Sequence, residues 1–385
     1  MSISIKDFGY GNKKWVGTWA TALQLVEEHN MPPTPGLSNN TFRQLVRVSL
    51  GGNQLRVKFS NEYGTSDLVM NSVHLAVSAG GDAIKPDTGR ILTFDGKQSV
   101  TIPAGGTVTS DTLDYCLPKL TDMAITIYFG STPAALTGHP GSRTTSYIAT
   151  GNGIDSISMP TAIATEHWYV IAGIDVTADA SCCAVVALGD SITDGRGSTT
   201  NMQNRWTDNL ARRLQENAAT AGVGMLNLGI GGNTVFSGGI GPNAVDRFER
   251  DVLSQCGVRY LVIFEGVNDI GLSNSIRAAE DLINAYKEFI NKAHANNILV
   301  YGATILPFGG SQYDNEVNEQ TRQRVNDWIR TSGEFDAVID FDAAVRNSKE
   351  PAKLQSIYDS GDHLHPNAEA YKRMAEIVEL ELFTR

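Results

Sequence analysis

Residues 184–195 read AVVALGDSITDG. Five consecutive apolar residues predict a strand buried on both faces, the kind a parallel sheet contains. The run stops at Gly189-Asp190-Ser191, a tight-turn composition, and a helical segment follows around 204–217. The same alternation repeats downstream. Apolar runs at 225–228, 259–264, 298–305 and 337–341 are separated by helical patterns at 243–255, 275–295 and 316–331, and 367–381 closes the chain as a helix. Five strands alternating with helices predict a three-layer α/β fold around a five-stranded parallel sheet. In such sheets ligands bind beyond the carboxyl ends of the strands. Chemistry-bearing residues do cluster there: GDSI (189–192), GIGGN (229–233), GVND (266–269) and, before the last helix, DHLHP (362–366).

Upstream of residue 179 the grammar differs. Runs at 44–48, 54–59, 74–77, 99–102 and 124–129 are rich in Val, Ile, Leu, Thr and aromatics, and many alternate apolar with polar. Gly- and Asn-rich turns separate them, at 51–53, 79–82 and 103–106. No 3.6-residue helical pattern stands out. This half reads as an all-β, jelly-roll-like antiparallel sandwich. The chain therefore divides into a β-sandwich domain at 1–178 and an α/β domain at 179–385. The length of 385 residues also favours two domains over one.

Ser191 stands at a strand-to-helix turn. A serine hydroxyl is a weak nucleophile and needs an adjacent base. His365, with Asp362 three residues before it, supplies a histidine that one tight turn can orient by a carboxylate. Attack on a carbonyl creates an oxyanion, which preorganised donors stabilise. The Ser191 N–H, the Gly232 N–H and the Asn268 side-chain amide are suitable donors. Read separately, Ser191 also fits a helix cap, and Asn268 and Asp269 fit ordinary turn residues.

These blocks resemble the SGNH/GDSL hydrolases, a superfamily named for Ser, Gly, Asn and His in four separated blocks. All four occur here in family order, with Ile192 where the family name has Leu. The resemblance implies a flavodoxin-like fold, a Ser191–His365–Asp362 triad, and an oxyanion hole of Ser191, Gly232 and Asn268, with no cofactor. Of Gly231 and Gly232, the glycine directly before Asn233-Thr234 is the better match. The first half, through WVGTWATA (15–22), RVKFSNEYGT (56–65), VTIPAG (100–105) and TSYIATGN (145–152), is similar to one subgroup in which a β-sandwich precedes the hydrolase domain. That subgroup implies esterases, many described as secreted or periplasmic and acting on acetylated polysaccharides.

The expected activity is therefore a serine carboxylesterase acting on short acyl esters, acetyl esters of carbohydrates among them. A thioesterase or lysophospholipase would use the same triad. A carbohydrate-binding protein whose β-sandwich carries the main role is the alternative from another class.

Other residues carry weaker signals. Asp190 and Asp194 are expected to hold the nucleophile turn through their side chains. Asp269 is expected to support the oxyanion loop. Glu265 fits either a substrate rim or a structural contact. His363 reads as a rim histidine, and Trp15 and Trp19 as packing residues. The Gly/Pro-containing segment 137–143, with His139 and Arg143, is the part of the first half expected to lean over the site. Asp359, Asp362, His363 and His365 lack the helix-borne spacing of a metal centre, so no metal is expected. The glycine runs at 229–232 and 238–241 match no phosphate-binding pattern.

The formal charge is −11 and the sequence pI about 5.1. An acidic chain is a poor partner for nucleic acid or anionic membranes. Residues 1–180 carry a net −3 and residues 181–385 a net −8, which favours neutral substrates. The N-terminus MSISIKDFGYGNKK lacks the apolar core of a signal peptide. As written the chain reads as cytoplasmic, or as a trimmed export form. Cys116, Cys182, Cys183 and Cys256 contain no CxxC pair and are expected to be buried free thiols.

Overall fold

The computed structural model describes residues 13–385. Most of the N-terminal stretch weighed above as a leader lies outside them. From Lys13 to Asp179 the chain is almost wholly β, with single-turn helices at Glu28–Asn30 and Pro86–Thr88. One antiparallel sheet runs Lys13–Ala20, Ile171–Asp179, Gly52–Ser60, Leu113–Leu117, with Thr107–Thr109 also on Gly52–Ser60. A larger one is built on Asn40–Arg47, Asp122–Phe129 and Leu68–Gly80. Strand Gly52–Ser60 shows why these residues fold this way. Leu55, Val57 and Phe59 share one face and are fully buried, while Gln54, Arg56 and Lys58 take the other. Phe42, Val46, Ile125 and Ile127 of the larger sheet enter the same buried cluster. A small third sheet joins Gln24–Leu25, Thr137–His139 and Trp168–Tyr169.

The second half is α/β. Its parallel strands are Cys183–Gly189, Val223–Gly229, Val258–Phe264, Leu299–Ala303 and Ala337–Ile339, in spatial order second, first, third, fourth, fifth. This is flavodoxin-like order, and its switch point falls between the first and third strands. Strand Cys183–Gly189 is buried along its whole length, as its unbroken apolar run requires. Helix Ala278–Ala295 turns Leu282, Ala285, Tyr286, Phe289, Ile290 and Ala293 inward, a 3.6-residue stripe against the sheet.

Three element boundaries differ from the sequence reading. The 275–295 helix starts at Ala278, and a separate helix, Val267–Ser273, follows the third strand directly. Gly266 at φ 113° and Asn274 at φ 47° isolate it. The 243–255 helix is Ala244–Phe248 continued by a wide π turn, Glu249–Leu253. The last helix is Ala368–Glu376, started by the Asn367 side chain accepting from the Ala370 N–H.

The two halves share one continuous apolar core. Strand Lys13–Ala20 lies against Val223–Gly229, and its Gly17 N–H donates to the Cys256 carbonyl, just before the third parallel strand, at 2.8 Å. A Cβ on Gly224 would sit 2.5 Å from the Gly17 oxygen, so this approach requires glycine. The Met225 N–H donates to Ser49 Oγ at 2.9 Å. Trp19 is buried, edge-on to Trp168 with ring centroids 5.0 Å apart, and Trp15 is covered by Arg56. All four cysteines are free, but only Cys183 is buried. Cys182 and Cys256 are half-buried, and Cys116 is exposed because it lies on the outer face of Leu113–Leu117, which corrects the expectation for these three thiols. No helix among the described residues is long and apolar enough to cross a membrane.

Candidate active site

Ser191 opens a one-turn helix, Ser191–Asp194, at the end of the first parallel strand. Asp190 Oδ1 accepts from the Ile192 N–H at 2.8 Å and fixes the turn's start. Gly195 ends it at φ 104°, which an L side chain rarely tolerates. Ser191 Oγ lies 2.8 Å from His365 Nε2, and His365 Nδ1 lies 2.6 Å from Asp362 Oδ2. Asp362 is itself held by a local turn: its Oδ1 accepts from the Leu364 and His365 N–H groups at 3.1 and 2.8 Å. With Nδ1–H pointing to a carboxylate, the Nε2 lone pair is left to accept the serine proton.

Charge and burial tune this line. Burial lowers the His365 pKa, the Asp362 contact raises it, and the Arg196 and Arg143 charges lower it again; the net position is below 6.5. Burial acts to raise Asp362, but hydrogen bonds from the His365 N–H and ring, the ring's charge and the Leu364 N–H outweigh it. Asp362 is thus held well below the usual carboxylate range. A neutral imidazole beside an ionised carboxylate is the resting state a general base needs.

Gly232 and Asn268 line the same cleft as Ser191 and His365. Among the described residues, neither the Ser191 N–H nor the Gly232 N–H has a protein acceptor. Asn268 Nδ2 donates one hydrogen to the Asn233 carbonyl at 2.7 Å, and Tyr313 OH donates to Asn268 Oδ1 at 3.0 Å. Those two contacts set the amide's orientation and leave one N–H uncommitted. Gly232, at φ 71°, would drive a Cβ to 2.9 Å from Ile240 Cδ1, whereas a Cβ on Gly231 would meet only Asp194 Oδ2 at 3.7 Å. Glycine is therefore structurally demanded at 232.

The remaining polar residues build the floor. Both Asp269 oxygens accept from the Val235 N–H at 3.0 Å, pinning the loop after GIGGN. Arg247, fully buried, donates to the Gly189 carbonyl at 2.9 Å, to the Leu228 carbonyl at 2.6 Å and twice to Asn233 Oδ1. One guanidinium thus ties the ends of two strands to the loop that carries Gly232 and Asn233. Glu265 lies inside, 2% exposed and 3.4 Å from Arg247, so it is no substrate rim. Burial pushes Asp190 up to about 7 and Asp269 up to about 6. His363 is exposed and pairs with Asp359, while His365 pairs with Asp362, so these carboxylates serve separate histidines.

Asp194 binds outward from the turn rather than within it. Its carboxylate leaves its own turn and accepts from His139 Nε2 and Arg143 Nη2, each at 2.8 Å. Segment 137–143 therefore reaches the turn that carries Ser191. The cleft above Ser191, about 1020 Å³, takes Gln24, Glu27, His29, Asn30 and Arg143 from the first half and Tyr313 from the second. Tyr313 and Arg247 escaped the sequence reading. Neither sits in a motif, and their partners are distant in the chain or are backbone carbonyls without sequence identity.

Residues 187–373 match the family model of the GDSL-like lipases/acylhydrolases. No curated protein matches the chain. Among solved structures, a member of the lipolytic G-D-S-L family from Veillonella parvula is 20% identical, covering 53% of this chain and 100% of its own, at TM-score 0.40. An acetyl xylan esterase is 22% identical, covering 50% of this chain and 96% of its own, at TM-score 0.39. A family two carbohydrate esterase from Cellvibrio japonicus is 11% identical over 97% of each chain, at TM-score 0.39. With the four blocks in order, the second-first-third-fourth-fifth sheet and the match over 187–373, this part of the chain is a member of the SGNH/GDSL hydrolase family.

Proposed function

We propose that the protein is a serine carboxylesterase for short acyl esters of a hydroxylated alcohol. The observation that carries this is the unbroken line from Ser191 Oγ to His365 to Asp362, with links of 2.8 and 2.6 Å, at the wall of an open cleft. His365 takes the Ser191 proton as Oγ attacks the ester carbonyl. The oxyanion accepts from the Ser191 N–H, the Gly232 N–H and the free N–H of Asn268. The tetrahedral intermediate then collapses, the C–O bond to the alcohol breaks, and His365 returns its proton to the departing oxygen. Water, deprotonated by the same histidine, releases the acid and restores Ser191. The polar residues that the first half sends to the cleft support an alcohol rich in hydroxyl groups, such as a carbohydrate.

The test is hydrolysis of p-nitrophenyl esters from acetyl to palmitoyl by the intact chain and by Ser191→Ala. Activity highest at acetyl to butyryl and abolished in the variant, with the circular dichroism of the fold retained, is the expected result. A maximum at long chains would replace the short-ester reading with a lipase. An active Ser191→Ala would remove the triad reading altogether.

A further inference from the structure

We propose that the β-rich half takes part in the reaction by positioning the nucleophile: His139 and Arg143 hold Asp194, and through it the one-turn helix that carries Ser191. The inference rests on Ser191 being the nucleophile.

The turn has four residues, with Ser191 at one end and Asp194 at the other. Ile192 and Thr193 are held from within the α/β half, and Arg205 Nε of that half donates to the Asp194 carbonyl at 3.0 Å. Asp190 receives the Ile192 N–H, and Asn227 Nδ2 donates to the Thr193 carbonyl at 2.6 Å. Trp206 Nε1 reaches Thr193 Oγ1 at 3.4 Å. The fourth residue's side chain is held from the other half. Asp194 is only 1% exposed, and its two oxygens are divided between His139 and Arg143. A buried carboxylate with this arrangement has one well-defined position, since leaving either oxygen unpaired in the interior is costly.

The upstream side is just as constrained. His139 Nδ1 faces the Ala22 carbonyl at 2.8 Å while Nε2 faces Asp194. Contacts at both ring nitrogens fix the ring between the Ala22 backbone and the Asp194 side chain. The ring stacks on Trp168, with centroids 5.7 Å apart. A Cβ on Gly141 would fall 2.1 Å from an Asp194 oxygen, so glycine there lets the loop backbone lie on the carboxylate. His139 is buried and does not line the cleft over Ser191, which separates it from substrate contact. A shift of about 1 Å in a reacting group costs about 10²-fold in rate, so a clamp three residues from Oγ is placed to matter.

The experiment uses the full chain and compares His139→Ala, His139→Gln and Arg143→Ala with the wild type. Steady-state kcat and KM are measured with p-nitrophenyl acetate. A small fluorophosphonate, which reacts with an activated serine directly, reads the nucleophile without the alcohol site. The expected pattern in His139→Ala is kcat lower by about 10- to 100-fold, KM within about twofold, and phosphonylation slowed by the same factor as kcat. His139→Gln retains an N–H toward Asp194 and is expected to recover most of the loss. Unchanged kcat and phosphonylation in a folded His139→Ala would overturn the proposal. If that variant does not fold, Arg143→Ala decides, because Arg143 lies partly exposed at the rim. Lower kcat and slower phosphonylation at constant KM support positioning. A change confined to KM makes Arg143 a substrate contact and overturns its positioning role. Ser191→Ala run in parallel keeps the questions apart: if it stays active the triad reading fails, and if it is dead while His139→Ala is unaffected only the clamp fails.

Discussion

Ser191 and His365 meet at 2.8 Å, yet the segments that carry them are built in opposite ways. The base loop is a local construction. Asp362 holds Leu364 and His365, Asp359 receives the Gly361 and His363 N–H groups, and the Ser360 N–H donates to the His365 carbonyl, all within seven residues. The Ser191 turn is a long-range construction. Arg247 reaches the strand before it from 58 residues downstream, and His139 and Arg143 reach its last residue from 55 and 51 residues upstream. A local turn can be specified by a short run of consecutive residues. A turn boxed in by distant side chains depends on the whole fold being assembled, both halves included.

Three substitutions probe that difference, beginning with the largest effect. Asp362→Asn keeps the loop's backbone acceptor but removes the negative charge facing His365 Nδ1. Loss of about 10³- to 10⁴-fold in kcat is expected, with the melting temperature little changed because the turn bonds are retained. A loss below about tenfold would mean that the base loop's charge is not part of the reaction. Asn268→Ala comes next. It removes one oxyanion donor and leaves Tyr313 OH without its acceptor, so kcat is expected to fall by about 10²- to 10³-fold at similar KM. If KM rises instead, the amide binds ground-state substrate.

The smallest effect is on pH dependence. His365 must be neutral to accept the serine proton, and its pKa lies below the ordinary 6.5. The acid limb of kcat/KM is therefore expected below pH 6.5, with activity lost as pH falls through it. Arg196 is one of the cations that disfavours the imidazolium. Arg196→Gln should raise the His365 pKa and move the limb upward, more at low salt than at high salt because Arg196 is exposed. A limb that moves downward, or starts above pH 6.5, contradicts the charge arrangement around the base.

The same contrast explains what could be read in the chain. The parallel strands were legible because burial on both faces leaves unbroken apolar runs, as in 184–188. Ser191, Asp362 and His365 could be singled out as candidates because each lies in a short block whose chemistry is local. Helix Val267–Ser273 was not, since seven residues make fewer than two full turns, too few to show a repeating pattern, and Gly271 within it argues against a helix. That glycine is there for Tyr313, whose ring would lie 2.3 Å from a Cβ at 271. Tyr313 itself acts 45 residues from Asn268. The Asp194 clamp was hidden for the same reason: an Asp at the end of a short turn looks self-sufficient until folding brings His139 beside it.

The contact between Ser49 and Met225 has a consequence of another kind. Val223–Gly229 is an outer strand of the parallel sheet, and outer strands present unpaired N–H and C=O groups that invite another chain to add on. Ser49 occupies the Met225 N–H, and the Gly17–Gly224 approach closes the flank beside it. The first half thereby acts as a guard against edge-to-edge aggregation. Separating the two halves would expose a sticky border as well as half of a cleft.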